Sequence, residues 1–240
     1  MKKVRFENKQ GLDLVGYLYS NNSNSIAVII MHGFGRNKDG PNGYYPELAK
    51  IISKKYTVLR FDFQACGESE GHFREFSIRN YLKDADSAIE YLRSLDYTEF
   101  YLIGHSLGGL VALKTSIKHN DVEKTIAIAP PILVKLPQRG ERANFEKKHN
   151  LTLWETFKII MKFLWDKLSI QPISILNNVN NYTTIIFSYD DMLCDYHHIK
   201  SKIHDSFFIK WVEIKGADHS FSKKAHKQKL FKIIKDELKL

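Results

Sequence analysis

The sequence predicts an α/β protein: a mostly parallel, eight-stranded, doubly wound sheet that carries a helical insertion. Three observations lead there. Eight short β-branched or apolar runs recur along the chain: "KVRF", "LVGYLY", "IAVIIM", "YTVLRF", "FYLIG", "TIAIA", "TTIIFS" and "FIKWVEI". Between most of the later runs lie segments with a helical apolar period. Strand and helix alternating in this way build a parallel sheet covered on both faces. Finally, residues 131–182 break the rhythm with a stretch that holds no obvious strand and is too long for a plain crossover.

The first two runs alternate polar and apolar residues and sit close together, so they read as an antiparallel hairpin at one edge. The central runs are apolar nearly throughout, as strands buried on both faces are. Tyr81, Ala85, Ala88, Ile89 and Leu92 fall on one helical face, and so do Leu110, Leu113 and Ile117. The insertion begins with the proline-bearing, basic stretch "PPILVKLPQRGERANFEKKHN". It continues into "TLWETFKIIMKFLWDKL", where Thr152 and Glu155 have the spacing of a helix-opening capping box. Trp154, Phe157, Met161, Leu164, Trp165 and Leu168 form one stripe there, widened by Ile160, and the stripe is the expected docking face. Trp154, Phe157 and Met161, with Phe163 and Trp165, are also candidates to line a substrate pocket. Residues 1–240 therefore read as a single domain, with 131–182 a lid or cap inserted over the C-terminal edge of the sheet.

Composition narrows the function classes. Hydrophobic residues make up 43% and charged residues 26%, which suits a chain with a sizeable core. No apolar run is long enough to span a bilayer, and no apolar segment follows the basic N-terminus as a signal peptide requires. Two cysteines, Cys66 and Cys194, make no disulfide framework; a reducing, cytoplasmic setting is expected. The net charge of +9 comes from scattered lysines without interleaved aromatics, so no nucleic-acid partner is expected. A monomer or homodimer acting on a small molecule is.

The chemistry concentrates in "FYLIGHSLGGLVALK". A strand runs into Gly104-His105-Ser106-Leu107-Gly108, and a helix opens at once. This is G-x-S-x-G in the strand–turn–helix setting of a nucleophile elbow. Glycines at 104 and 108 clear the tight turn, and Ser106 is pushed out at a helix N-terminus. A serine hydroxyl needs an adjacent base that an acid orients, and the chain order in such folds is serine, acid, histidine. His219 follows the last strand in "GADHSF" and is the expected base. The acid belongs after "TTIIFS", in the window "FSYDDMLCDYHHIK". Asp190, Asp191 and Asp195 are all candidates. Asp191 lies three residues past the strand end, Asp190 competes closely, and Asp195 better suits the cap of a following helix. Taken alone, that window is also rich in metal-ligand types, but a metal site needs ligands converging from other segments; none is evident. Two backbone donors complete the set: the N–H of Leu107 and that of Phe34, in "HGFG" after the third strand. His32 is expected to shape that loop. Asp62, Gly67 and Ser69 read as turn formers, His72 as an exposed loop residue, and both cysteines as buried and inert.

These residues, with "LRFDFQACGESEG" and "AIAPP", resemble the α/β-hydrolase superfamily over nearly the whole chain. The chain looks most like compact bacterial cinnamoyl and feruloyl esterases and monoacylglycerol-lipase-like hydrolases. The resemblance implies Ser106, Asp191 and His219 as the triad, and Phe34 and Leu107 as backbone donors. It favours Asp191 because Ser188 to Asp191 fill a G-x-x-D-like turn, with serine in place of glycine. It implies an ester-cleaving serine hydrolase that uses neither metal nor cofactor. Thioesterases, acyltransferases and serine peptidases share the triad, and a non-catalytic hydrolase-fold binding protein is the rival of another class. Leu107 and Gly35 depart from the glutamine and threonine usual in cinnamoyl esterases, which leaves the substrate open.

Overall fold

A computed structural model describes residues 1–21, 23–133, 152–197, 199 and 206–240, without the side chains of Leu153, Trp154, Phe157 and Lys167. The strands are β1 (Lys2–Glu7), β2 (Asp13–Tyr19), β3 (Ile26–Met31), β4 (Thr57–Phe61), β5 (Glu99–His105), β6 (Val122–Ile128), β7 (Tyr182–Phe187) and β8 (Ile209–Glu213). They form one eight-stranded sheet in the order β1-β2-β4-β3-β5-β6-β7-β8. β1 and β2 make the expected antiparallel hairpin, and β2 also runs antiparallel to β4. Every other neighbouring pair is parallel.

Successive strand residues face opposite sides, and β3 divides its side chains accordingly. Ala27, Ile29 and Met31 enter the core covered by α2 (Ile78–Arg93) and α3 (Leu107–Lys118). Val28 and Ile30 enter the core covered by α1 (Tyr45–Ile52) and α6 (Lys224–Leu238). The two expected helical faces are those that dock: Tyr81, Ala85, Ala88, Ile89 and Leu92 of α2 are buried, as are Leu110 and Leu113 of α3. Burying each large aliphatic side chain contributes about 1.5–3 kcal/mol.

Within residues 131–182 the structure describes α4 (Leu153–Ile170) and α5 (Pro172–Asn177). The capping box is present. The Thr152 N–H donates to Glu155 Oε2 at 2.8 Å, and the Glu155 N–H donates to Thr152 Oγ1 at 3.2 Å. The docking face differs from the expected stripe. Met161, Trp165 and Leu168 are 49%, 70% and 73% exposed. The face turned inward is instead Thr156, Ile159, Phe163, Asp166 and Ile170, spaced three and four apart. An apolar count passes over it because two of its members are polar. Asp166 docks through a hydrogen bond: its Oδ2 accepts the Ile78 N–H at 2.9 Å, at the open N-terminus of α2. Asp195, expected to cap a helix, accepts the His197 N–H in a turn; residues 198 and 200–205 lie outside the described residues.

Asp166→Ala leaves a buried helix N–H without its acceptor and should lower stability by about 1–3 kcal/mol in urea unfolding. Met161→Ala, on the outer face of the same helix, should stay within about 0.5 kcal/mol of the native protein.

Candidate active site

The site is built on the turn between β5 and α3. Ser106 holds φ 53° and ψ −124°, outside the regions that L-residues ordinarily occupy. Backbone crowding explains the glycines. A Cβ on Gly104 would lie 2.1 Å from the Gly108 carbonyl oxygen, and one on Gly108 would lie 2.4 Å from the Met31 carbonyl oxygen. The turn is held from β6, where the Ile128 carbonyl accepts the Ser106 N–H at 2.7 Å. Strain at one residue persists when its surroundings determine it this fully.

The loop after β8 brings His219 to the serine: Nε2 is 2.9 Å from Ser106 Oγ. Asp191, two per cent exposed in the loop after β7, lies 2.7 Å from His219 Nδ1 through Oδ2. Its other oxygen accepts the N–H groups of Leu193 at 2.8 Å and Cys194 at 3.1 Å. Burial alone would push this carboxyl up. The His219 hydrogen bond, the His219 charge and the two N–H donors outweigh burial and hold it below the usual carboxylate range. An ionised Asp191 fixes the proton of His219 on Nδ1 and leaves Nε2 free to accept from the serine hydroxyl. Asp190, the close competitor, turns the other way. Its Oδ2 accepts the Gly216 N–H at 2.8 Å and braces the loop that carries His219.

Leu107 follows the serine in the chain, and Phe34 lies on the loop after β3. Leu107 opens α3, where N–H groups have no intrahelical acceptor. Gly33 brings the loop after β3 close, since a Cβ there would lie 3.1 Å from Ser106 Cβ. His32 is fully buried and shapes this loop: Nε2 accepts the Phe63 N–H at 3.0 Å, so Nδ1 carries the proton, given to the Gly33 carbonyl at 2.8 Å. Asp62 ties the same loop to the one after β4, accepting the Lys38 N–H at 2.6 Å and the Glu68 N–H at 2.9 Å. Gly67 lies against that carboxylate, and the Ser69 hydroxyl donates to the Asp62 carbonyl. His72 is exposed, and Cys66 is buried beside Tyr81 Oη.

The pocket expectations fare differently. The side chains of Trp154 and Phe157 lie outside the described residues. Met161 is corrected by the geometry of α4: it sits on the outer face, and Phe163 approaches the site instead. The Phe34 ring packs against Phe76 at 4.5 Å, Phe73 at 5.5 Å and Phe163 at 5.8 Å between centroids. Sequence reasoning also missed His105. It is buried, and its Nε2–H donates to the His219 carbonyl at 2.7 Å, fastening the backbone of the residue that meets Ser106. The elbow motif leaves position 105 open and gave no signal for this.

This chain belongs to the alpha/beta hydrolase fold family, whose model matches residues 26–156. Over 101 residues it is 27% identical to the (E)-2-((N-methylformamido)methylene)succinate hydrolase of Acinetobacter baylyi, a match covering 42% of this chain and 36% of that protein. The chain spans about a third of the length of the curated relatives it matches first. Two solved structures share the fold. Esterase Pf2001 of Pyrococcus furiosus superposes with a TM-score of 0.75 at 20% identity, covering 99% of this chain and 91% of that one. Est1E of Butyrivibrio proteoclasticus, solved with ferulic acid, gives 0.72 at 18% identity, covering 98% and 96%.

Burial lowers the pKa of His105 from 6.5 to about 3. The unfolded chain therefore takes up a proton that the folded one refuses. The stability tied to this group is complete above pH 6.5 and is lost as pH falls toward 3. His105→Gln should flatten the acid limb of the stability curve across that window, measured by urea unfolding at stepped pH.

Proposed function

We propose that this protein is a serine hydrolase that cleaves carboxylic esters of small acyl or aryl groups through an acyl-enzyme on Ser106. The observation that supports it is the hydrogen-bonded chain Ser106–His219–Asp191 at the mouth of the β5–α3 turn. His219 Nε2 takes the hydroxyl proton as Ser106 Oγ attacks the ester carbonyl. Asp191 holds the imidazole and stabilises the imidazolium. The N–H groups of Phe34 and Leu107 receive the oxyanion. The alcohol leaves with the proton from His219, and water, activated by the same nitrogen, releases the acid. Residues 131–182 serve as a lid, with Phe163 on its substrate side. An amide or thioester fits the same steps, so relative turnover of matched esters, thioesters and amides assigns the class.

A fluorophosphonate probe should label the native protein and leave Ser106→Ala unlabelled. Equal labelling of the two proteins, or none of the native one, defeats the catalytic reading and returns the fold to a binding role. Asp191→Asn should lower kcat by about 10⁴-fold with ester substrates. Asp190→Asn keeps an oxygen for the Gly216 N–H and should remain within about tenfold of native turnover; the reverse ranking would reassign the acid.

A further inference from the structure

Cys194 is buried, and its Sγ lies 3.9 Å from His219 Nδ1, the nitrogen that Asp191 contacts at 2.7 Å. Single ligand atoms of Asp191, Cys194 and His219 all lie within 4.8 Å of one another. The three come from two separate loops, so the convergence that the window 187–200 lacks in sequence is supplied by the fold. Asp191 and Cys194 stand in one turn, in which the Cys194 N–H donates to the Asp191 carboxylate.

We infer that Asp191, Cys194 and His219 form an inhibitory site for a thiophilic divalent cation, Zn²⁺ above all. A thiolate, an imidazole nitrogen and a carboxylate oxygen are a zinc donor set, and a water completes the tetrahedron. Metal–ligand lengths of about 2.0–2.3 Å place neighbouring donors about 3.3–3.6 Å apart. The Asp191–His219 contact must open by about half an ångström, and the Cys194–His219 contact must close by a similar amount. On binding, the thiol releases its proton to solvent. The metal takes the Nδ1 lone pair, so the imidazole proton moves to Nε2. An Nε2–H facing Ser106 Oγ donates where a base must accept. The cation therefore stops serine activation without touching the serine. The inhibition rests on the catalytic reading given above; the binding does not.

The two are separated by measuring binding in Ser106→Ala protein, which has no turnover to lose. Cobalt(II) added to it should produce a near-ultraviolet thiolate-to-cobalt band that is absent from Ser106→Ala/Cys194→Ser. Zinc X-ray absorption of the Ser106→Ala protein, which needs no change at 194, should show a sulfur at about 2.3 Å. A shell of nitrogen and oxygen alone, or a cobalt band indifferent to Cys194, would place the metal elsewhere and overturn the site. EDTA-reversible inhibition by Zn²⁺, scored for each protein against its own metal-free rate, should require about tenfold or more higher concentration in Cys194→Ser than in the native protein. Equal zinc sensitivity of the two proteins overturns the inhibitory role. Sulfur-ligated metal in a protein that hydrolyses no ester leaves the site standing and defeats the proposed function.

Discussion

The backbone crossing at Gly104, Gly108 and Met31 is the constraint on which the remainder depends. β5 must lie flat between β3 and β6 to complete the sheet, yet α3 must begin one residue later and pack onto it. Only a turn with a positive φ at 106 and no side chains at 104 and 108 satisfies both. Its strain, of order 1–3 kcal/mol at such a residue, is offset by the burial of α3 against the core. The side chain that this turn ejects is the proposed nucleophile.

Around that fixed point the neighbouring loops are held by buried polar groups. His32 joins the loops after β3 and β4 through one imidazole with a defined tautomer. Asp62 does the same through a carboxylate. Asp190 and His105 hold the loop of His219 from two directions, one through the Gly216 N–H and the other through the His219 carbonyl. Each is a hydrogen bond to backbone, so each fixes where a loop runs more than what any one side chain does. Placement to within a few tenths of an ångström is what a proton relay requires.

What was legible in the sequence follows from which signals are local. Strands β1 to β8 and the faces of α2 and α3 could be read because their apolar periods match what the sheet buries. The Thr152–Glu155 box could be read because both partners lie within one turn. The inward face of α4 could not, since two of its buried members, Thr156 and Asp166, are polar, and Asp166 docks through a hydrogen bond that a hydropathy pattern does not register; the apolar residues Met161, Trp165 and Leu168 on the solvent side stood in for it. His105 and Asp190 bind backbone atoms far along the chain, His105 across 114 positions. The proximity of Cys194 to His219 is likewise a product of the sheet order, which sets the loops after β7 and β8 side by side. Motif spacing carries chemistry well when strand, turn and helix are contiguous, and poorly when two loops meet only through the fold.

The packing of Phe34 has an evolutionary corollary. Its ring belongs to the aromatic cluster with Phe73, Phe76 and Phe163, while its amide sits on the loop that Gly33 presses against Ser106. A lineage that repacked those rings would shift the amide as well. Mutations in the cluster are therefore expected to be epistatic, because residues in direct contact do not contribute independently. Neutral drift should be easier on the outer face of α4, where Met161, Trp165 and Leu168 are exposed.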